Sequence, residues 1–579
     1  MKTLVIAEKP SVARDIAKAL GVNELKQNYY ENSTYVISWA AGHLFNLAYP
    51  SDYVNGFKWS LDSVPFFPKK FEYKVINKQF DVLKKLIQRK DIDTIVNACD
   101  AGREGELIFR EIIEHCNPKG KTLKRLWLSS MTKEEIIREF QQLKDLKQFD
   151  GLAFSAYARQ WADWIVGINA TIAVTSVSKN LRSIGRVQTP TLYFIVQRER
   201  EIKSFKPETY YTVTGLFHNN FDYTGVYKNK FKTKKEAEYF LKALKTIKTG
   251  VVSDIKDSVV VITPPPLYDL TELQRDANKI FGFSAQKTLD IAQKLYEHYK
   301  AITYPRTDSK YLPLSLKNKV PDLLSKLSSR YQYKTVLRTE IFDDKKVTDH
   351  YAIIPTGVIP NLSGDEEKVF DLICKRFIAT QMPNAEEQHL SFLTLLDKFP
   401  FETSINRLLV SGWKEVYGLN KEQRAFLRDN SDVVRLKIDE KHTQPPQRFT
   451  DATLLSAMEK VSQVIDESDL KKIIKDKGIG TPATRSQIIE KLIHVGYIRR
   501  EKRTLIPTDK GMDTIKMLEN MMLDTLLSPK LTAEWEFKLE MVDTKKKMDE
   551  FIGGIKEMTN SIIQKVRRYH EQTREIKSH

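Results

Sequence analysis

The sequence predicts a multidomain protein that joins an α/β unit to further α+β units. Three observations carry that expectation. The chain has 579 residues, too many for one hydrophobic core. Its N-terminal part alternates short apolar runs with helix-period segments, as strands feeding helices do. Two later stretches, Tyr210 to about Val261 and about Leu390 to Ile438, alternate apolar and polar residues and end at the proline-rich connectors Pro264-Pro265-Pro266 and Gln444-Pro445-Pro446.

Composition narrows the class. Hydrophobic content of 41% and charged content of 29% fit a soluble globular protein. There are 93 Lys and Arg against 75 Asp and Glu, a formal charge of +18. That excess points to a polyanion, with nucleic acid as the first candidate; the plainer reading is a generally basic surface. Cys99, Cys116 and Cys374 are scattered and form no CxxC pair, which argues against a disulfide framework or zinc ribbon and fits a reducing cytoplasm. The N-terminal apolar run meets Glu8 at once, and no long apolar segment occurs elsewhere. Neither a signal peptide nor a membrane partner is therefore expected. Gly120-Lys121-Thr122 has His115 where a phosphate-binding loop needs its first glycine, so ATP-driven chemistry is not suggested.

In chain order, Leu4 to Ala7 reads as a buried strand. Pro10 opens a helix over Ser11 to Leu20, and Gly21 ends it. Glu8 and Lys9 then lie at the strand-to-helix turn, where sites gather in open α/β sheets; a structural salt bridge is their plainer reading. Trp59 either stacks on a base or caps a core. Asp93 to Cys99 reads as a second buried strand, ending in Asp100-Ala101-Gly102-Arg103-Glu104-Gly105-Glu106. Three carboxylates so close repel one another unless cations compensate, and Mg²⁺ is the natural choice for hard oxygen ligands. Glu104 is the expected partner of Asp100, while Glu106 can pair with Arg110 at i,i+4. Thr132-Lys133-Glu134-Glu135 is a capping box. Tyr157 to Thr171 reads as helix, with Arg159 and Asp163 on one face as DNA contacts or an ordinary ion pair. Ser183 to Thr191 opens another helix, near whose start Arg186, Gln188 and Thr189 suit phosphate and sugar. Further on, the glycines of Gly478-Ile479-Gly480-Thr481-Pro482-Ala483-Thr484-Arg485 suit phosphate or simply cap the helix Ser486 to His494. Lys545 to His579 reads as a charged helix.

A helical stretch, Ala285 to Tyr299, delivers Ile302-Thr303-Tyr304-Pro305-Arg306-Thr307-Asp308. Pro305 biases Tyr304 toward an extended conformation. A phenol can attack phosphorus, but its ordinary pKa of about 10 makes it a poor nucleophile without a base or a positive field. Arg306 can grip a phosphate with two N–H groups. His350 is either structural or titrates near neutral pH beside that phosphate.

The motifs Ala7-Glu8-Lys9-Pro10-Ser11, Asp100 to Glu106, Gly185-Arg186-Val187-Gln188-Thr189-Pro190, Ile302 to Arg306 and Gly480 to Arg485, in that order, resemble a type IA DNA topoisomerase of the bacterial topoisomerase III branch. The resemblance implies a padlock-like torus of four domains: a toprim domain at 1–148; a split, mostly helical domain at 149–205 and 441–579; a split, β-rich hinge at 206–266 and 389–440; and a third domain at 267–388 that carries Tyr304. It implies a 5′-phosphotyrosyl intermediate on Tyr304, with Arg306, Glu8, Lys9 and His350 in catalysis and Mg²⁺ on Glu8, Asp100 and Glu104. It places Trp59, Arg159, Asp163, Trp164, Gly185, Arg186, Val187, Gln188, Thr189, Pro190, Thr484 and Arg485 along a groove for single-stranded DNA. The implied substrate is underwound or catenated DNA, acted on by a monomer in a bacterial cytoplasm, with a helicase partner left open. Two departures stand out: Gly102 replaces the middle aspartate of the acidic motif, and Ile172 stands where the family has an arginine. The alternatives are a catalytically impaired single-strand-binding protein and another toprim enzyme, a nuclease or primase.

Overall fold

The structure is a computed structural model and describes all residues except 129, 130, 132, 332, 348, 349, 462–477 and 579. The capping box expected at Thr132 lies outside the described residues; the helix that follows it runs Lys133–Phe140.

The N-terminal quarter is built on one sheet. Its strands are β1 (Lys2–Ala7), β2 (Glu24–Lys26), β3 (Tyr29–Glu31), β4 (Tyr35–Trp39), β7 (Ile92–Ala98), β8 (Thr122–Arg125) and β9 (Lys144–Asp145); β5 (Phe45–Leu47) and β6 (Tyr73–Val75) form a small separate two-stranded sheet. The spatial order is β2-β3-β4-β1-β7-β8-β9. β1 pairs in parallel with β4 and with β7, and β7 in parallel with β8. The unbroken apolar run of β1 is explained by burial on both faces. Leu4 and Ile6 join Ile95, Phe109 and Ile112 on one side, and Val5 and Ala7 join Val12, Ala13 and Ile16 on the other. Pro10 starts the helix Pro10–Ala19, and Gly21 adopts a φ of +71° just beyond it, as a helix stop requires.

The two alternating stretches meet in space. β10 (Thr209–His218), β11 (Asp222–Tyr227), β12 (Thr249–Ile262), β13 (Ala385–Leu396), β14 (Phe399–Val410) and β15 (Asn430–His442) close a barrel in the order β10-β11-β14-β13-β12-β15. Between β12 and β13 the chain makes a separate helical body, with Leu270–Phe281, Ala285–Glu297 and Gly364–Ala379 packed around Leu273, Leu289, Phe370 and Phe377. The 29-residue helix Asp150–Ser178 is flanked by the C-terminal helix Lys545–Ser578, and both belong to one core with Leu192, Leu492 and Leu518. Ile172 is a buried member of that core, so an apolar side chain at this position has a packing reason.

Candidate active site

Parallel pairing brings the acidic groups together. Ala7 of β1 lies opposite Ala98 of β7, so Glu8 and Asp100, just beyond the two strand ends, emerge at the same edge. The Asp100 backbone N–H donates to Glu8 Oε2 at 3.3 Å. Lys9 Nζ donates to Asp100 Oδ2 at 2.5 Å and stands 3.0 Å from Glu8 Oε1. Gly105 has a packing reason here: a Cβ at this position would fall 2.2 Å from the Asp100 carbonyl oxygen, so only glycine lets the helix Arg103–Cys116 begin so near. Beneath the loop, buried Arg125 donates to the carbonyls of Asn97, Cys99, Leu126 and Asp100 at 3.1, 2.7, 3.0 and 2.7 Å.

Tyr304 arrives from the other side. Its segment is pinned to residues 350–356: Thr303 N–H donates to the Ile354 carbonyl at 2.9 Å, Thr303 Oγ1 to the Ala352 carbonyl at 3.0 Å, and Thr307 Oγ1 to the His350 carbonyl at 2.7 Å. That strapping sets His350 beside the nucleophile, with ring centroids 4.4 Å apart and His350 Nε2 3.3 Å from Asp100 Oδ2. Lys9 Nζ lies 4.3 Å from the Tyr304 ring centroid. Burial pushes the Tyr304 phenol up to about 12 against the lowering pull of Lys9. Burial also works against charge on Lys9, but Asp100 and Glu8 outweigh it and hold the ammonium well above its ordinary value. Asp100 is likewise desolvated, yet Lys9 and His350 keep its carboxyl well below the usual range. Arg306 is half-buried, two residues past Tyr304, and among the described residues it makes no hydrogen bond or ion pair.

Glu104 departs from expectation. It pairs with Arg159, and its other oxygen lies 3.3 Å from His43 Nε2. Starting the helix at Arg103 turns Glu104 away from Asp100 and toward the helix Asp150–Ser178. Among the described residues no three His, Cys, Asp or Glu side chains gather into a cation site. Glu8 and Asp100 are carboxylates that stand together at this edge, a pair of the kind that could hold one hard divalent ion with water. Glu106 pairs with Arg110 at 2.8 Å, as its spacing implies.

The groove residues divide. Trp59 is 49% exposed. Trp164 packs edge-on against Phe71 at 5.5 Å, and its buried indole N–H has no partner among the described residues. Arg186, read as a phosphate ligand, is buried and held instead by Asp163, at 2.8 and 3.3 Å, and by Glu536 at 3.4 Å. Asp163 therefore serves Arg186 rather than the Arg159 four residues before it. Gln188, Thr189 and Pro190 are buried; Thr189 Oγ1 accepts the Gly185 N–H at 3.1 Å, and Val187 is the residue from which the helix Gln188–Ser204 departs. Thr484 Oγ1 accepts the Thr481 N–H at 3.0 Å, capping the helix Pro482–His494. Arg485 is buried as well, and it donates to the Ile479 carbonyl and to Thr271 Oγ1, each at 3.2 Å. Sequence reasoning missed Arg103, which donates to Glu536 at 2.7 Å, and Tyr296, whose ring meets Tyr304 at 5.3 Å. Arg103 stands inside the acidic motif and carried that signal; Tyr296 sits in an ordinary helix and carried none.

The chain is similar to known proteins over nearly its whole length. Residues 147–552 match the family model described as DNA topoisomerase, and residues 3–131 match the Toprim domain model. The chain is 39% identical to a DNA topoisomerase 3 of Bacillus anthracis, over 98% of this chain and 82% of that one. It is 39% identical, with the same coverage, to a DNA topoisomerase 3 of Bacillus subtilis (strain 168). Among solved structures, full-length topoisomerase I from Thermotoga maritima superposes with a TM-score of 0.69 at 26% identity, covering 99% of this chain and 90% of that one.

Proposed function

The chain belongs to the type IA DNA topoisomerases, in the bacterial topoisomerase III branch, and from that premise we propose how its residues cleave and rejoin one DNA strand. The observation that carries the reading is the junction of Tyr304 with Lys9, Asp100 and His350 across two separate parts of the fold.

Tyr304 Oη attacks a phosphodiester phosphorus. A bond forms between phosphorus and the phenolic oxygen, and the bond to the 3′-oxygen breaks. The phenolic proton passes to the Glu8 carboxylate, and Lys9 gives one proton to the leaving 3′-oxygen, so the proton count is unchanged. Lys9 suits that part because its two carboxylate neighbours keep it protonated. Arg306 is free to hold the equatorial phosphate oxygens as charge grows on them, and His350 braces the same phosphate from the Asp100 side. Glu8 and Asp100 are the residues that would hold Mg²⁺, which when bound supplies positive charge that draws the DNA phosphates into an acidic site. The body at 267–388 would then lift, with the β-barrel segments 206–266 and 389–440 as hinge, and reversal of the same step would reseal the strand. The phosphotyrosyl bond conserves the energy of the broken one, so no ATP is required.

We propose underwound or catenated DNA as the substrate, a monomer as the acting species and the cytoplasm as its place. Incubation with negatively supercoiled plasmid and Mg²⁺ tests the whole reading. Catalytic relaxation without ATP, abolished by EDTA and restored by added Mg²⁺, is expected. Stoichiometric binding without any change of linking number would contradict it.

A further inference from the structure

A cavity of 210 Å³ opens beside Tyr304, between the helix Pro10–Ala19 and the strap of residues 350–356. Asp100, Tyr304 and His350 line one end of it. The rest is mostly apolar and aromatic: Val12, Leu128, Met131, Tyr296 and Tyr351, with the exposed Asp15 and the half-buried Lys300 as the charged pair of the lining. Among the described residues Lys300 is the one cation of this lining, and its ammonium lies 5.3 Å from the Tyr296 ring centroid; the remaining lining is apolar and aromatic, and none of these side chains has a part in the cleavage step. Tyr296 is held in place by its hydroxyl, which donates to Ser11 Oγ at 3.4 Å, and its ring stands edge-on to Tyr304. The Tyr351 hydroxyl has no hydrogen-bond partner among the described residues. An aromatic chamber with an unengaged hydroxyl and a carboxylate at its rim suits a flat, weakly polar ring with hydrogen-bonding edges.

We propose that this cavity receives the nucleobase on the 3′ side of the break, the base whose own 5′-phosphate is transferred to Tyr304. The inference rests on the phosphotyrosyl reading above. Once that phosphate is on Tyr304 Oη, the base lies one sugar away, and the cavity begins at the Tyr304 side chain itself. Stacking on aromatic side chains accepts any base, because every base has a π-face. The Tyr351 hydroxyl and the Asp15 carboxylate meet the ring's edge. Docking the base keeps the 5′-phosphoryl end in register while the two ends of the strand are apart, so that the returning 3′-hydroxyl meets phosphorus at the original angle. Tyr296 and Tyr351 would thus bind substrate without taking part in proton transfer.

The test uses a 3′-labelled single-stranded oligonucleotide whose cleavage position has been mapped, beside a second that is abasic at the nucleotide directly 3′ of the break. The full-length protein and its Tyr351→Ala and Tyr351→Phe variants are compared by label attached after a detergent quench. The abasic oligonucleotide is expected to give roughly tenfold less covalent product than the intact one with the natural protein. Tyr351→Ala should lose a similar factor on the intact oligonucleotide and lose little more on the abasic one, whereas Tyr351→Phe, which keeps the ring, should restore most of the difference. Equal cleavage of intact and abasic oligonucleotides overturns the pocket while leaving the phosphotyrosyl chemistry standing. An abasic penalty that persists at full size in Tyr351→Ala also overturns it. Failure to attach label to the natural protein from either oligonucleotide overturns the underlying chemistry and the pocket with it.

Discussion

Tyr304 faces two opposed effects, and their relative size sets its chemistry. Burial raises its pKa and Lys9 lowers it, and burial wins, leaving the phenol at about 12. At neutral pH the nucleophile is therefore protonated and must lose its proton during attack, which puts the weight of catalysis on its neighbours. Lys9 is the neighbour with most to give, since it touches Glu8 and Asp100 and lies over the Tyr304 ring. Lys9→Ala should slow single-turnover cleavage of an oligonucleotide by about 10²–10⁴-fold, with a much smaller change in binding measured by fluorescence anisotropy. A variant that binds and cleaves within a few-fold of the natural protein would remove Lys9 from the proton path. Much of this site is legible in the sequence, because Glu8 and Lys9 adjoin an obvious strand end and Tyr304 sits two residues from Arg306. The partner of Arg186 was not legible. An arginine's type is written in the chain, but the carboxylate that claims it, here Asp163 on another helix, becomes visible only when the helices pack.

Single elements carry their own titration. The helix Leu270–Phe281 leads toward the Tyr304 segment, and Asp269 caps it by accepting the Glu272 N–H at 2.7 Å. Burial raises Asp269 to about 6, only partly countered by Lys310 at 3.4 Å. Its folded value lies above its ordinary value of 3.8. The stabilising contribution of the protonated form is thus complete below about pH 4 and is lost as the pH rises to about 6. The shift corresponds to something on the order of 3 kcal/mol. Asp269→Asn preserves an N-cap oxygen and should flatten the fall in thermal stability between pH 4 and pH 6; an unchanged slope would assign that titration to other groups. At this scale the sequence reads well where periodicity or punctuation is strong. The apolar run of β1, the stop at Gly21 and the helix Ala285–Glu297 all follow from it. What it withholds is pairing. Two alternating stretches announce strands, but only long-range registers such as Val213 opposite Ile438 make them one barrel. Likewise, Gly105 shows its purpose only once the Asp100 carbonyl lies against it.

For the whole molecule, the reaction needs the body that carries Tyr304 to come away from the sheet that carries Glu8, Lys9 and Asp100. Among the described residues, Glu134 and Lys319, both exposed, meet across the junction at 3.4 Å. Replacing both with cysteine and joining them by a short, reducible thiol reagent should hold the gate shut. All three native cysteines are buried and offer little background. The tethered protein should still cleave a short oligonucleotide but should not relax plasmid, and reduction should restore relaxation. Relaxation at full rate while tethered would place the opening elsewhere. The excess of basic residues that first suggested a polyanionic partner was legible from composition alone, whereas this junction joins residues 185 positions apart in the chain. The most direct measurement of the central claim remains chemical. A single-stranded oligonucleotide labelled at its 3′ end is incubated with the protein and Mg²⁺ and quenched with detergent. Label should appear covalently on the protein, at Tyr304 on peptide mapping, and disappear in Tyr304→Phe; cleavage with no label on the protein, or label that survives that substitution, would contradict a 5′-phosphotyrosyl mechanism.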